Sequence, residues 1–143
     1  MIKWIKQNKE VIMIILIAIL FSFYLTSNSL FVEKYLENKL SNILLPVFGV
    51  LLGSLITAYT LIIAFNNQIP TRVRQTNGYK KVNIHFFMTL SSLLILLITS
   101  LLFYFLDGDL IMFINLFLSI FSFLMFFLLI ITIYQLVRII NKK

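Results

Sequence analysis

Four stretches of this sequence, 11–26, 43–65, 84–106 and 110–137, contain no Asp, Glu, Lys or Arg. The second holds 23 residues, and at ~1.5 Å per residue it reaches ~34 Å, enough to cross a hydrocarbon core of ~30 Å. Without water, a backbone must satisfy its own polar groups, so uncharged runs of this length form helices. The sequence therefore predicts an all-α integral membrane four-helix bundle. It is a single transmembrane domain over residues 1–143, with spans at about 11–26, 43–65, 84–106 and 110–137. The first span is short, so it is expected to begin earlier, with Lys3, Lys6 and Lys9 reaching back to the headgroups.

Charge sets the orientation. The chain has 12 Lys and Arg against 5 Asp and Glu, a formal charge of +7. Lys3, Lys6, Lys9, Arg72, Arg74, Lys80, Lys81, Arg138, Lys142 and Lys143 fall on one side of the four spans. Only Lys34 and Lys39 fall on the other, beside Glu33, Glu37, Asp107 and Asp109. Basic residues accumulate on the cytoplasmic side, which predicts a multi-pass protein of the inner (plasma) membrane, N-in and C-in, with the basic loop 66–83 in the cytoplasm. The basic residues flank hydrophobic spans, so the expected partners are membrane lipids, and nucleic acid is not expected. Between spans 1 and 2, apolar Leu30, Phe31, Tyr35, Leu36 and Leu40 predict a short amphipathic outer helix, with Glu33, Glu37 and Lys39 towards water.

Inside the second span Pro46, Gly49, Gly53, Thr57, Thr60 and Ala64 recur at steps of three or four and so share one helix face. Lipid is as apolar as leucine, so helices associate in it through close backbone approach at small residues. Gly49, Gly53, Thr57, Thr60 and Ala64 are therefore predicted at a helix contact. Phe113, Phe117, Phe121, Phe123, Phe126 and Phe127 of the fourth span are bulky enough to fill the space such a seam leaves.

Loop 66–83 combines Pro70 with Arg72, Arg74, Lys80 and Lys81, and its Asn77–Gly78 pair predicts a turn closing a hairpin between 72–75 and 80–83. These four cations are candidate contacts for a cytoplasmic protein partner or for lipid headgroups. Thr89, Ser92 and Thr99 share a face of the third span, as do Asn115, Ser119 and Ser122 on the fourth. Such stripes either hydrogen-bond between helices or line a narrow wet path; packing is the simpler use of either stripe alone. Together with the small-residue seam, the two stripes point to a homo-oligomer in which they, with Asp107 and Asp109 at the outer turn, are the candidate pore lining. His85, the one histidine, is expected at the membrane interface, satisfied by backbone or water.

No catalytic residue is assigned. Cysteine is absent, which removes thiol chemistry and thiolate metal sites, and no carboxylate pair or activated nucleophile is assembled. No metal and no cofactor is expected, and the chain is read as not an enzyme. The lack of Asp, Glu, Lys and Arg inside the spans also argues against a proton-coupled transporter.

In outline, with minimal outer loops, a basic cytoplasmic hairpin after the second span and no embedded charge, the chain resembles the small four-span membrane proteins that serve as effectors or membrane partners in bacterial anti-phage defence systems. The resemblance covers the whole chain, rests on architecture and assigns no residue roles. It implies a non-enzymatic, self-assembling protein that permeabilises the membrane when a cytoplasmic partner or signal acts on loop 66–83. The alternative is a structural membrane-anchor subunit of a larger complex, or a small transporter or holin-like protein. A pore former turns its polar stripes towards a common axis. An anchor buries them between helices of one protomer, and a transporter needs a cavity at mid-membrane.

Overall fold

The computed structural model describes residues 9–28, 32, 40–64, 71–105 and 109–141. Their regular structure is entirely helical: α1 (Lys9–Thr26), α2 (Leu40–Ala64), the single turn α3 (Thr71–Arg74), α4 (Asn77–Phe105) and α5 (Asp109–Asn141). Three are long and apolar enough to cross a membrane, through Lys9–Thr26, Asn77–Leu102 and Asp109–Arg138, while α2 contributes a shorter apolar stretch, Pro46–Thr60. The expected amphipathic helix between spans 1 and 2 falls largely outside the described residues, as does Asp107. The side chains of Ala64 and Arg72 do so too.

Only three residues separate α4 from α5 in the sequence, and these two helices make the most extensive helix contact among the described residues. Beyond it, α1 packs on α5 and α2 packs on α4. Three side-chain contacts fix the directions. Tyr59 near the end of α2 stacks on Phe86 near the start of α4, with ring centroids 4.6 Å apart. His85 near the start of α4 meets Thr132 near the end of α5 at 3.0 Å, and Glu10 at the start of α1 pairs with Lys81 on α4 at 3.1 Å. The start of α1, the end of α2, the start of α4 and the end of α5 therefore lie together. This end carries Lys9, Arg74, Lys80, Lys81 and Arg138, and the exposed Asp109 opens α5 at the other.

The larger core cluster joins Phe48 and Leu55 of α2, Val82, Phe86, Leu93 and Leu96 of α4, and Leu118 and Leu129 of α5. A smaller one, Met112 and Leu116, packs with Leu25, Val32 and Ile111 near the acidic end. The outer surface is as apolar as the interior: Leu20, Val50 and Leu110 are 69%, 73% and 72% exposed. Helices that are hydrophobic all round suit lipid rather than water, where such patches drive aggregation.

Two local expectations are corrected. The hairpin expected at Asn77–Gly78 is absent: α4 begins at Asn77, and 71–74 is a helical turn. Thr76 decides this as the N-cap, its hydroxyl oxygen accepting the N–H of Tyr79 at 3.2 Å. Gly78 instead sits in the first turn of α4, where an added Cβ would lie 3.3 Å from Cδ1 of Leu136. The phenylalanines of α5 do not fill the seam of α2 either, because α2 packs on α4. Phe117 and Phe126 pack against the core, whereas Phe123 and Phe127 face outwards in an edge-on pair 4.9 Å apart.

Candidate functional site

Polar side chains gather along the α4–α5 contact. On α4 the face His85, Thr89, Ser92, Leu96 and Ser100 recurs at steps of three and four, and all five are buried. On α5 the corresponding face is Asn115, Ser119, Ser122, Met125, Leu129 and Thr132, also buried. Because the helices run antiparallel, the two ends of the seam close on one another. Asn115 Nδ2–H donates to Ser100 Oγ at 2.9 Å near the acidic end, and His85 Nδ1 meets Thr132 Oγ1 near the basic end.

Most of the remaining hydroxyls are satisfied by their own helix. Thr89 donates to the carbonyl of His85 at 2.7 Å, Ser92 to that of Thr89 at 2.9 Å, and Ser119 to that of Asn115 at 2.8 Å. Such bonds let small polar residues lie in an apolar interior at little cost. Thr132 gives its one proton to the Leu128 carbonyl at 2.7 Å, so its oxygen accepts from His85 Nδ1–H, and the hydrogen-bond network assigns that tautomer. His85 is thus a buried cross-helix tie, 1% exposed, whose Nδ1 meets a side chain of α5 rather than the backbone or water expected of it. His85 Nε2 and Ser122 Oγ are buried with no hydrogen-bond partner among the described residues.

The predicted stripes are therefore brought together, but onto each other. Thr89, Ser92, Asn115, Ser119 and Ser122 are buried inside one chain; Thr99 is half-buried and bonds back to the Leu96 carbonyl at 3.0 Å. Ser100 and Thr132, the partners that complete the seam, were not among the residues singled out from the sequence. The signal was present: Ser100 continues the Thr89–Ser92–Leu96 face, whereas Thr99 is a quarter-turn off it.

The small-residue face of α2 is placed differently. Gly53, Thr57 and Thr60 are exposed and Gly49 is half-buried, and an added Cβ at either glycine would meet nothing within 4 Å. Among the described residues this face makes no helix contact, and α2 turns Phe48, Leu55 and Tyr59 to α4 instead. Its hydroxyls are satisfied locally, Thr57 to the Gly53 carbonyl at 3.0 Å and Thr60 to that of Ile56 at 2.9 Å.

At the basic end Arg74 is half-buried and Lys80 exposed. Lys81 reaches both carboxylate oxygens of Glu10, at 3.1 and 3.2 Å, in a partly exposed pair. At this exposure the pair adds little stability; its consequence is geometric, since it ties α1 to α4. Glu10 has no counterpart among the residues expected to matter. Among the described residues no three His, Asp or Glu come together.

Comparison with protein-family models, with curated proteins and with solved structures finds no match to this chain.

Proposed function

We propose that this chain is a non-enzymatic integral membrane protein that works by lateral assembly. In this reading it is an anchoring or assembly subunit with four spans, both chain ends and the basic end in the cytoplasm, and the outer face of α2 as its contact with a second copy. The observation that carries the reading is the free face of α2, where Gly49 and Gly53 have open space above them and the flanking hydroxyls need no partner. A small-residue face of this kind allows two backbones to approach closely in lipid. The basic end, with Arg74, Lys80 and Lys81, is the surface offered to a cytoplasmic protein or to anionic headgroups.

Burial of the Thr89 and Asn115 stripes inside one protomer supports anchoring over a pore lined by those residues. A permeabilising assembly is the second reading, favoured by Asp109, which lies exposed at the end opposite the basic cluster. Copies around an axis would repeat this carboxylate at the mouth of a path.

The absence of cysteine makes the test clean. Gly53→Cys is expected to form a disulfide-linked dimer on mild oxidation in membranes, while Val82→Cys, buried in the core cluster, is not. Dimer from neither variant would remove α2 as the contact. Reporter fusions at Asn77 and after Lys143 are both expected to read as cytoplasmic, and access of an external protease to Asn77 in intact cells would reverse the orientation. Over-production is expected to leave a voltage-sensitive dye unchanged. Loss of membrane potential would select the permeabilising reading instead.

A further inference from the structure

Helices α1 and α4 point the same way and are joined at the basic end by Glu10 and Lys81. Farther along, the space between them is an apolar groove of about 430 Å³, walled by Ile15 of α1 and by Phe87, Met88, Ser91 and Ile95 of α4, with Phe121 among the α5 residues of its floor. We propose that this groove holds one acyl chain of an anionic phospholipid, whose phosphate rests on the lysines at the basic end.

Register and depth support that occupant. Lys81, Met88 and Ile95 are seven residues apart on α4, so the lysine stands in line with the groove on the same helix face. At ~1.5 Å per residue the groove runs from ~10 to ~21 Å below Lys81. One leaflet of a ~30 Å core is ~15 Å deep, so a tail entering from the basic side passes through it.

Charge selects the headgroup. Lys9, Arg74, Lys80, Lys81 and Arg138 cluster at this end with Glu10 as the one carboxylate among the described residues. The Lys81 ammonium has three N–H donors, so its pairing with Glu10, with the side chain 38% exposed, still leaves a donor for a phosphate.

The inference rests on α1, α4 and α5 spanning the membrane. Failure of that premise would appear first, as protein recovered in the soluble fraction. With the protein extracted from membranes, native mass spectrometry in mixed micelles of phosphatidylglycerol and phosphatidylcholine with identical tails is expected to show one phosphatidylglycerol retained per protomer, at least ten-fold over phosphatidylcholine. Ser91→Trp, which fills the mouth of the groove from an exposed position, is expected to abolish retention. Leu94→Trp, exposed on α4 outside the groove, is expected to keep it, and Lys81→Gln to lower the preference between headgroups without removing the tail. Equal retention of both lipids, retention by Ser91→Trp, or a lipid-free dimer in place of the lipid complex would overturn the proposal. If Ser91→Trp loses its helical circular dichroism, the headgroup preference of the unmodified chain and of Lys81→Gln still decides.

Discussion

Ser122→Ala is expected to leave the protein as stable as before or slightly more so, while Ser122→Asp costs it about 3 kcal/mol, the scale of placing an acid near the centre of a membrane helix. Ser122 is 1% exposed, and its hydroxyl has no partner among the described residues. It lies near the middle of the apolar stretch Asp109–Arg138. Removing an unpaired buried hydroxyl relieves a desolvation penalty, whereas a carboxylate there must either bind a proton or remain charged without a counter-ion. Unfolding in micelles of graded sodium dodecyl sulfate, followed by far-ultraviolet circular dichroism, reads both changes. Destabilisation above about 1 kcal/mol by Ser122→Ala would mean that the hydroxyl has a partner in the membrane, as it would on a wet path through an oligomer. The same experiment thus bears on the choice between anchor and pore.

Phe86→Ala is expected to release α2 from the rest of the molecule. Phe86 is 2% exposed and sits in the core cluster between α2 and α4. It receives Tyr59 as a stacked ring at 4.6 Å, and Tyr59 also meets Phe87 edge-on at 5.5 Å. Truncating a buried phenylalanine costs ~3–5 kcal/mol in water-soluble cores. In lipid the transfer contribution largely disappears, leaving lost dispersion contacts and the aromatic pair, so a loss of about 2 kcal/mol is expected. Hydrogen exchange in micelles is the measurement. Amides of α2 should exchange faster while those of α5 keep their protection, and Leu94→Ala, at an exposed site on the same helix, should alter neither. Uniform acceleration across all four long helices would show that α2 is not a separately attached element.

The sequence by itself determined the helical class, the approximate places of the long apolar helices and the close antiparallel pairing of α4 with α5. Long uncharged runs have one way to satisfy their backbones in lipid, and with only three residues between α4 and α5 in the sequence these two helices are bound to be neighbours. It also gathered Lys9, Arg74, Lys80, Lys81 and Arg138 at one end and Asp109 at the other, because charge position along the chain becomes charge position in space once helices alternate in direction. The hairpin at Asn77–Gly78 does not form: the pair has turn chemistry in isolation, while the Thr76 cap that overrides it acts only when Tyr79 is already helical.

Which face of each helix meets which neighbour was decided by the tertiary structure alone. In a membrane protein both the inner and the outer faces are apolar, so periodicity does not mark the buried side as it does in water. Pattern alone therefore marks Thr99 where Ser100 makes the contact, and leaves Thr132 unmarked. It is also why the small-residue face of α2 gave no sign that it points away from its own chain. The pairing of Glu10 with Lys81 spans 71 positions, and the groove beneath it is built by three helices. Neither exists until α1 and α4 both lean on α5, because packing, rather than pattern, brings those residues together.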